Sequence, residues 1–393
     1  MNITDFSFAN EFRKWYLEKT SFGALNLLVG MSGVGKTQIL EAIKAVTRAG
    51  IRPVTEMVNG CSWTLEVDSE GTHYSWSAGV SLVKKGPGFS AGEEEGDLNT
   101  PIFIHELIVD GSNRVLVKRQ DEMFEFDGTR LPKLKNTESA INLLRDEELI
   151  GPLHRALHRF IFSEASESHI YSVIDPAAVK RQTGRFETLQ ALREAEPMPV
   201  VVKAYILHQK YPDEYQRIRD EYCDIFPAVT DVTVAPLNEL DPAAAGEEPG
   251  IFRERLAVGV RERGVDEWIT GSRLSTGMFR VLVHLWELAL APPGTVIVID
   301  EFENSLGVNC LPALTDRLQQ RSRDLQFIIT SHHPYIINNI PSSFWRIVTR
   351  RGSKVTVLGA DAIPGLKDVS AQDKFIRLLN VPEYEDGILS AVG

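Results

Sequence analysis

The sequence predicts an α/β fold: one layered core whose strands are split in the chain by a long insertion. Two observations predict it. Residues 23–30, GALNLLVG, read as a buried strand running directly into a glycine-rich turn and then a helix. Four further apolar runs, TVIVID, LQFIIT, FWRIVTR and KVTVLG, read as strands near the other end of the chain. A strand–loop–helix unit at the start and buried strands at the end belong to one sheet when helical sequence separates them.

Composition sets the bounds. The chain has 393 residues, 43% of them hydrophobic, enough for two or three lobes around a sizeable core. Its 42 Lys+Arg and 54 Asp+Glu give a net charge of −12, so only a local basic patch could contact nucleic acid. Cys61, Cys223 and Cys310 are few and far apart, which excludes a disulfide framework and a cysteine zinc site. The opening MNITDFSFANEFRKWYLEK has no uninterrupted apolar stretch, and no run of about 18 apolar residues occurs. The expected location is the cytoplasm, with no membrane contact.

After the first strand, TQILEAIKAVTRAG (37–50) carries apolar residues at 39, 40, 43 and 46, one helical face, with Gly50 as its expected close. Segments 61–67, 72–83, 101–109, 113–118 and 123–126 are β-branched and aromatic, separated by DSEG, KKGPG, DGSN and FDG. They predict an antiparallel meander. Residues 90–99 read as an acidic loop. From Glu138 to Phe162, and over most of 176–226, the pattern is helical. Tyr211, Tyr215, Ile218, Tyr222 and Ile225 recur as one stripe, read first as a packing face and second as a docking surface. LNELDPAAAGEEPG (237–250) is the expected linker. A strand at RERLAVGVRERG and a helix at 276–291 follow. The expected organisation is an N-terminal lobe, 1–162, a mostly helical insertion, 163–250, and a C-terminal lobe, 251–393.

Four motifs carry chemistry. Gly30-Met31-Ser32-Gly33-Val34-Gly35-Lys36-Thr37 satisfies G-x-x-x-x-G-K-[ST] between a strand and a helix, the Walker A pattern. Glycines let successive N–H groups turn inward toward phosphate oxygens, and the helix N-terminus, reaching Gln38, adds its positive end. Lys36 would reach the β- and γ-phosphates of ATP, and Thr37 would offer its hydroxyl to Mg²⁺. Val296–Asp300-Glu301 is a buried strand ending in two acids, the Walker B pattern. Strand carboxyl ends line the ligand crevice of open α/β sheets. There Asp300 would hold Mg²⁺ and Glu301 would polarise the attacking water.

Arg273-Leu274-Ser275-Thr276-Gly277-Met278 precedes a helix, and Gly277 stands 23 residues before Asp300. Ser275 is either an ordinary helix cap or, with Gly277, part of a second anion site. Finally, Ile328-Ile329-Thr330-Ser331-His332-His333-Pro334 delivers a histidine at a strand end. Lesser features are His154 and His158, four residues apart on a basic helix. Read as metal ligands they lack a partner acid, so a solvated basic face is the simpler reading.

Together the four motifs resemble the ABC-type ATPases of the SMC, RecF and OLD (overcoming lysogenization defect) group, over about 1–160 and 255–360. LNLLVGMSGVGKT is similar to that group's "lNvLvGxNgsGKS", and Glu303-Asn304-Ser305-Leu306-Gly307 occupies its D-loop position. The resemblance implies an ABC-type head, a P-loop mixed sheet with an antiparallel β subdomain. It also implies that Ser275 and Gly277 bind the γ-phosphate held by a second copy, and that His332 is the switch histidine, with His333 in the motif's serine position. Two copies would close head-to-tail on two ATP·Mg²⁺, as a homodimer or higher homo-oligomer. Departures are a D-loop without its aspartate and no clear Q-loop, with Gln120 the nearest candidate. Trp15, Tyr16 and Phe22 lie where an aromatic could stack on adenine, and nothing selects one. The insertion has no sustained heptads, and no nuclease domain fits after His333. The chain therefore resembles stand-alone ATPases of bacterial antiphage defence, whose separately encoded effector is a nuclease or toxin. A DNA-repair ATPase is the alternative, and a transporter ATPase is disfavoured.

Overall fold

In the first strands buried side chains alternate with more exposed ones, and the alternation shifts where the register is broken by a bulge. Ile3, Phe6 and Phe8 of Asn2–Asn10 are buried, and so are Trp15 and Leu17 of Trp15–Ser21. These strands pair antiparallel through a turn with Lys14 at φ 49°. The opening is thus a hairpin. The computed structural model describes residues 1–82, 100–120, 123–163, 171–172, 179, 181, 183–195, 198–247, 255–363, 366, 374–381 and 384. The acidic loop at 90–99 lies outside the described residues.

The chain divides into two compact units, Met1–Phe162 with Gly294–Phe302 and Gln326–Gly393, and Ser163–Pro293 with Glu303–Leu325. The first is built on a 14-stranded sheet. Five strands lie parallel in the order Phe160–Phe162, Val296–Ile299, Gln326–Thr330, Leu25–Val29 and Trp345–Arg351. Leu25–Val29 and Gln326–Thr330 are buried along their whole lengths, which accounts for runs rather than alternation in their sequences. Their polar members are paired. Asn26 donates to the carbonyls of Gly23 and Phe327, and Gln326 exchanges hydrogen bonds with both backbone groups of Ile3. Beyond Trp345–Arg351 the sheet continues through Lys354–Gly359 and the opening hairpin into the meander Cys61–Ser69, Thr72–Leu82, Pro101–Asp110, Val115–Gln120 and Met123–Phe126.

The helix Lys36–Ile51 buries Ile39, Leu40, Ile43 and Val46, the face its spacing predicts. Gly50 does not close it. A Cβ there would lie 2.3 Å from Leu157 Cδ1, so close packing explains this glycine, and its carbonyl accepts the Ser139 hydroxyl. The expected helix over 138–162 is instead two short helices, Ala140–Leu143 and Gly151–Leu157, and the strand Phe160–Phe162. Three residues are too few to show a period-two pattern. His154 and His158 meet edge-on at 4.7 Å, while Arg155 grips Glu70. Among the described residues no three His, Cys, Asp or Glu side chains gather to hold a metal ion.

The second unit packs the helices Val200–Lys210, Pro212–Ile225, Thr276–Leu290 and Leu311–Arg321 with a small antiparallel sheet containing Val229–Pro236 and Leu256–Glu262. Of the tyrosine stripe, Tyr215, Ile218, Tyr222 and Ile225 are buried. Tyr215 donates to Val232 O and Tyr222 to Met278 O. The stripe is therefore a packing face. The expected linker is folded: Leu237–Leu240 and Pro242–Glu247 are helical, and Leu237, Leu240 and Ala245 pack against Ala257. Of its alanines, read as spacer, Ala245 is buried in that small core.

Candidate functional site

Strand register sets the site. In the parallel sheet Ile299 pairs with Ile329, Thr330 with Leu28, and Ile347 with Val29. Three strands therefore end level with one another, and each runs on into a motif: Gly30 after Val29, Asp300 after Ile299, and Ser331-His332 after Thr330. All three belong to the first unit.

The glycines of the loop have different reasons. Gly33 and Gly35 adopt φ 85° and 112°, which L side chains rarely take. Gly30 is excluded from carrying a Cβ by contact, since that atom would lie 2.5 Å from Val348 O. Val34 is buried and anchors the loop, whereas Met31, Ser32 and Gly33 are exposed. The following helix has no side-chain cap and no acid in its first turn, and Thr37 and Gln38 are exposed there. Uncapped N–H groups at the positive end of a helix are what an anion requires. Lys36 is buried, and its ammonium donates to Gly30 O and Met31 O, both at 2.9 Å.

Asp300 is half-buried and Glu301 exposed. Glu301 has φ 46°, a left-handed conformation uncommon for a non-glycine residue. Thr330 holds this turn. Its hydroxyl donates to Asp300 Oδ1 at 2.6 Å and accepts the Glu301 N–H at 2.7 Å, while its carbonyl accepts the Phe302 N–H at 3.0 Å. The sequence reading passed over Thr330. Its only signal was a hydroxyl immediately before Ser331-His332. His332 is exposed, whereas His333 caps the helix Pro334–Asn339 by accepting the Tyr335 N–H at Nδ1. The two histidines thus divide into an accessible side chain and a structural one. Thr37 and Asp300 offer the oxygen donors that suit magnesium, which takes few protein ligands and completes its shell from phosphate and water.

The signature residues belong to the second unit. Exposed Ser275 caps Thr276–Leu290, its Oγ accepting the Met278 N–H at 3.2 Å. A Cβ on Gly277 would lie 2.3 Å from Ser305 O, so this glycine lets the D-loop segment approach the helix. Gln120 is exposed at the end of Val115–Gln120, paired with His105 and Met123, and its strand stands eight places along the sheet from Leu25–Val29. Of the three aromatics, Trp15 and Phe22 are buried, and Tyr16 is half-buried with its hydroxyl donated to Glu11.

Comparison with known proteins gives three kinds of likeness. Residues 25–338 match the family described as "AAA domain, putative AbiEii toxin, Type IV TA system". In sequence the chain is similar to the DNA repair protein RecN of Rickettsia prowazekii (strain Madrid E), 25% identical over 97 residues. That match covers 25% of this chain and 17% of that protein. In structure it is similar to the SmcHead bound to the C-winged helix domain of ScpA, with TM-score 0.47 and 12% identity over 91% of this chain and 97% of that one. It is similar also to the Smc head domain, with an extended coiled coil, bound to the C-terminal domain of ScpA derived from Pyrococcus furiosus. There the TM-score is 0.45 and the identity 13%, over 91% of this chain and 95% of that one.

Proposed function

Because the chain belongs to this AAA-domain family of the AbiEii type, we propose that it binds and hydrolyses ATP, closes as a dimer around it, and thereby gates a separately encoded effector. The observation that carries the reading is the shared strand register. It brings Gly30–Thr37, Asp300-Glu301 and His332 to the carboxyl ends of three adjacent parallel strands.

In this reading Lys36 leaves the carbonyls of Gly30 and Met31 for the β- and γ-phosphates, and the N–H groups of Ser32 to Gln38 surround the remaining oxygens. Thr37 and Asp300 would hold a magnesium ion, which would supply charge neutralisation to the phosphates. Glu301 orients the attacking water and receives its proton, and His332 senses the γ-phosphate. Ser275 and Gly277 close the site of a second copy. Positioning and preorganised charge do most of the work in such a transfer. ATP then joins two heads and hydrolysis parts them, a two-state element able to hold or release a partner. The family description names a toxin of a type IV TA system, which favours toxin control or antiphage defence in the cytoplasm. Among the described residues no helix is long and apolar enough to cross a membrane.

The likeness to a DNA repair protein favours a second reading, an ATPase acting on DNA. Hydrolysis stimulated by DNA, and lost steeply as salt rises, would select it. The ATPase reading itself is tested by Glu301→Gln. With ATP and magnesium this variant is expected to sediment as a stable dimer, and Lys36→Ala, in the same background, as a monomer with no measurable ATP uptake. A Glu301→Gln chain that stays monomeric at saturating ATP overturns the dimer.

A further inference from the structure

Trp15 begins the second strand of the opening hairpin. Its side chain is 5% exposed and lies 5.7 Å, centroid to centroid, from the Phe8 ring. A ring so enclosed has no free face on which adenine could stack. Its indole N–H, however, has no hydrogen-bond partner. A buried unpaired donor is costly, and a group left so calls for a partner that a bound molecule can supply. The position of Nε1 says what. It lies 3.3 Å from the point where a Cβ on Gly35 would stand, and Gln38 Oε1 lies 3.3 Å from the same point. Val355 closes the other side at 3.4 Å. The donor therefore faces the end of the glycine loop where the helix begins.

We propose that the Trp15 indole N–H is a positioning donor for the nucleotide, given to an oxygen at the Gly35–Gln38 end of the loop. Backbone N–H groups of such loops hold the α- and β-phosphates, while the lysine reaches toward the γ-phosphate. The oxygen is therefore one that ATP and ADP share. This rests on the nucleotide reading above and adds to it a contact outside the four motifs. It also gives Gly35 a second reason to be glycine: a methyl there would stand between the indole and the loop.

The test is Trp15→Phe in the full chain, which keeps a buried aromatic ring and removes the donor together with part of the indole's volume. Affinities for ADP·Mg²⁺ and for non-hydrolysable AMP-PNP·Mg²⁺ are measured by calorimetry. The expected result is a loss of about tenfold for both nucleotides, by nearly equal factors. The melting temperature of the nucleotide-free protein should fall only modestly, because removal of an unpaired donor offsets part of the cost of the smaller ring. Magnesium tripolyphosphate locates the acceptor: an equal loss assigns it to the phosphates, and no loss to the ribose. Unchanged affinity for both nucleotides, or a loss confined to AMP-PNP, overturns the proposal. If the unsubstituted chain binds neither nucleotide, the nucleotide reading itself fails. Should Trp15→Phe not fold, the native chain labelled with ¹⁵N-tryptophan serves instead. Of its six indole N–H resonances, the one assigned to Trp15 by single replacement of the other five should move downfield with ADP, and a stationary one overturns the proposal.

Discussion

Thr330 shows how one hydroxyl can set the geometry of two acids. It donates to Asp300 and accepts from the backbone of Glu301, whose φ of 46° would be unfavourable without support. Thr330→Val preserves shape and removes both bonds. Losing one to two positioning bonds of about 1–1.5 kcal/mol each lowers the rate about ten- to hundredfold. Single-turnover hydrolysis should fall by that factor while calorimetric ATP affinity changes less than about threefold, and Thr330→Ser should recover most of the rate. The glycine loop was legible from the sequence because its residues are neighbours in the chain and each has a local reason to be there. Thr330 was not, because its partners lie about thirty positions away and only strand register brings them together.

At the scale of elements, the meander is tied to the short helix Ala140–Leu143 by one buried carboxyl. Glu106 receives the Trp76 indole N–H at 3.2 Å and the Ala140 N–H at 3.0 Å, and pairs with Arg119 at 2.9 Å. Arg119 in turn donates to Glu138 O and lies over the Phe124 ring. Burial pushes the Glu106 carboxyl up to about 7, although Arg119 and the hydrogen bonds pull the other way. The folded protein thus holds this proton more tightly than the unfolded chain, whose carboxyl titrates near 4.3. The resulting stability is fully present below about pH 4.3 and is lost as pH rises through about 7. Urea midpoints of the native chain, taken relative to Glu106→Gln at each pH, should fall between pH 5 and 7.5 and then level off. A flat difference would contradict the burial argument. Alternation made the meander strands readable, since one face is buried in each. The strand Phe160–Phe162 escaped because its pairing with Val296–Ile299 is set by a segment far along the chain.

For the whole molecule, the proposed dimer sets the glycine loop of one copy against Ser275 of another. Ser275→Asp separates folding from assembly. Aspartate caps a helix as well as serine and suits its positive end, so the melting temperature should hold. A carboxylate facing the partner's γ-phosphate should abolish the dimer in the Glu301→Gln background, read by sedimentation, while each monomer still binds ATP. Ser275→Ala, by contrast, should cost about 1 kcal/mol of stability through the lost cap. The split of the sheet strands between the two ends of the chain was evident from their apolar runs. That 237–247 is packed inside the second unit was not, because alanine-rich sequence suits spacer and buried helix equally.

The strand Leu25–Val29 is translated roughly 300 residues before its two neighbours in the sheet, Gln326–Thr330 and Trp345–Arg351. At ribosomal speeds of about 5–20 residues per second, the interval is tens of seconds. Throughout it the hairpin and meander can pair locally, but a five-residue, almost wholly apolar ribbon waits without partners beside the tunnel exit. A chaperone that shields this ribbon, or pausing that brings the distal strands sooner, would govern how much chain matures. Truncated messages should yield insoluble product even when every signature residue has been made.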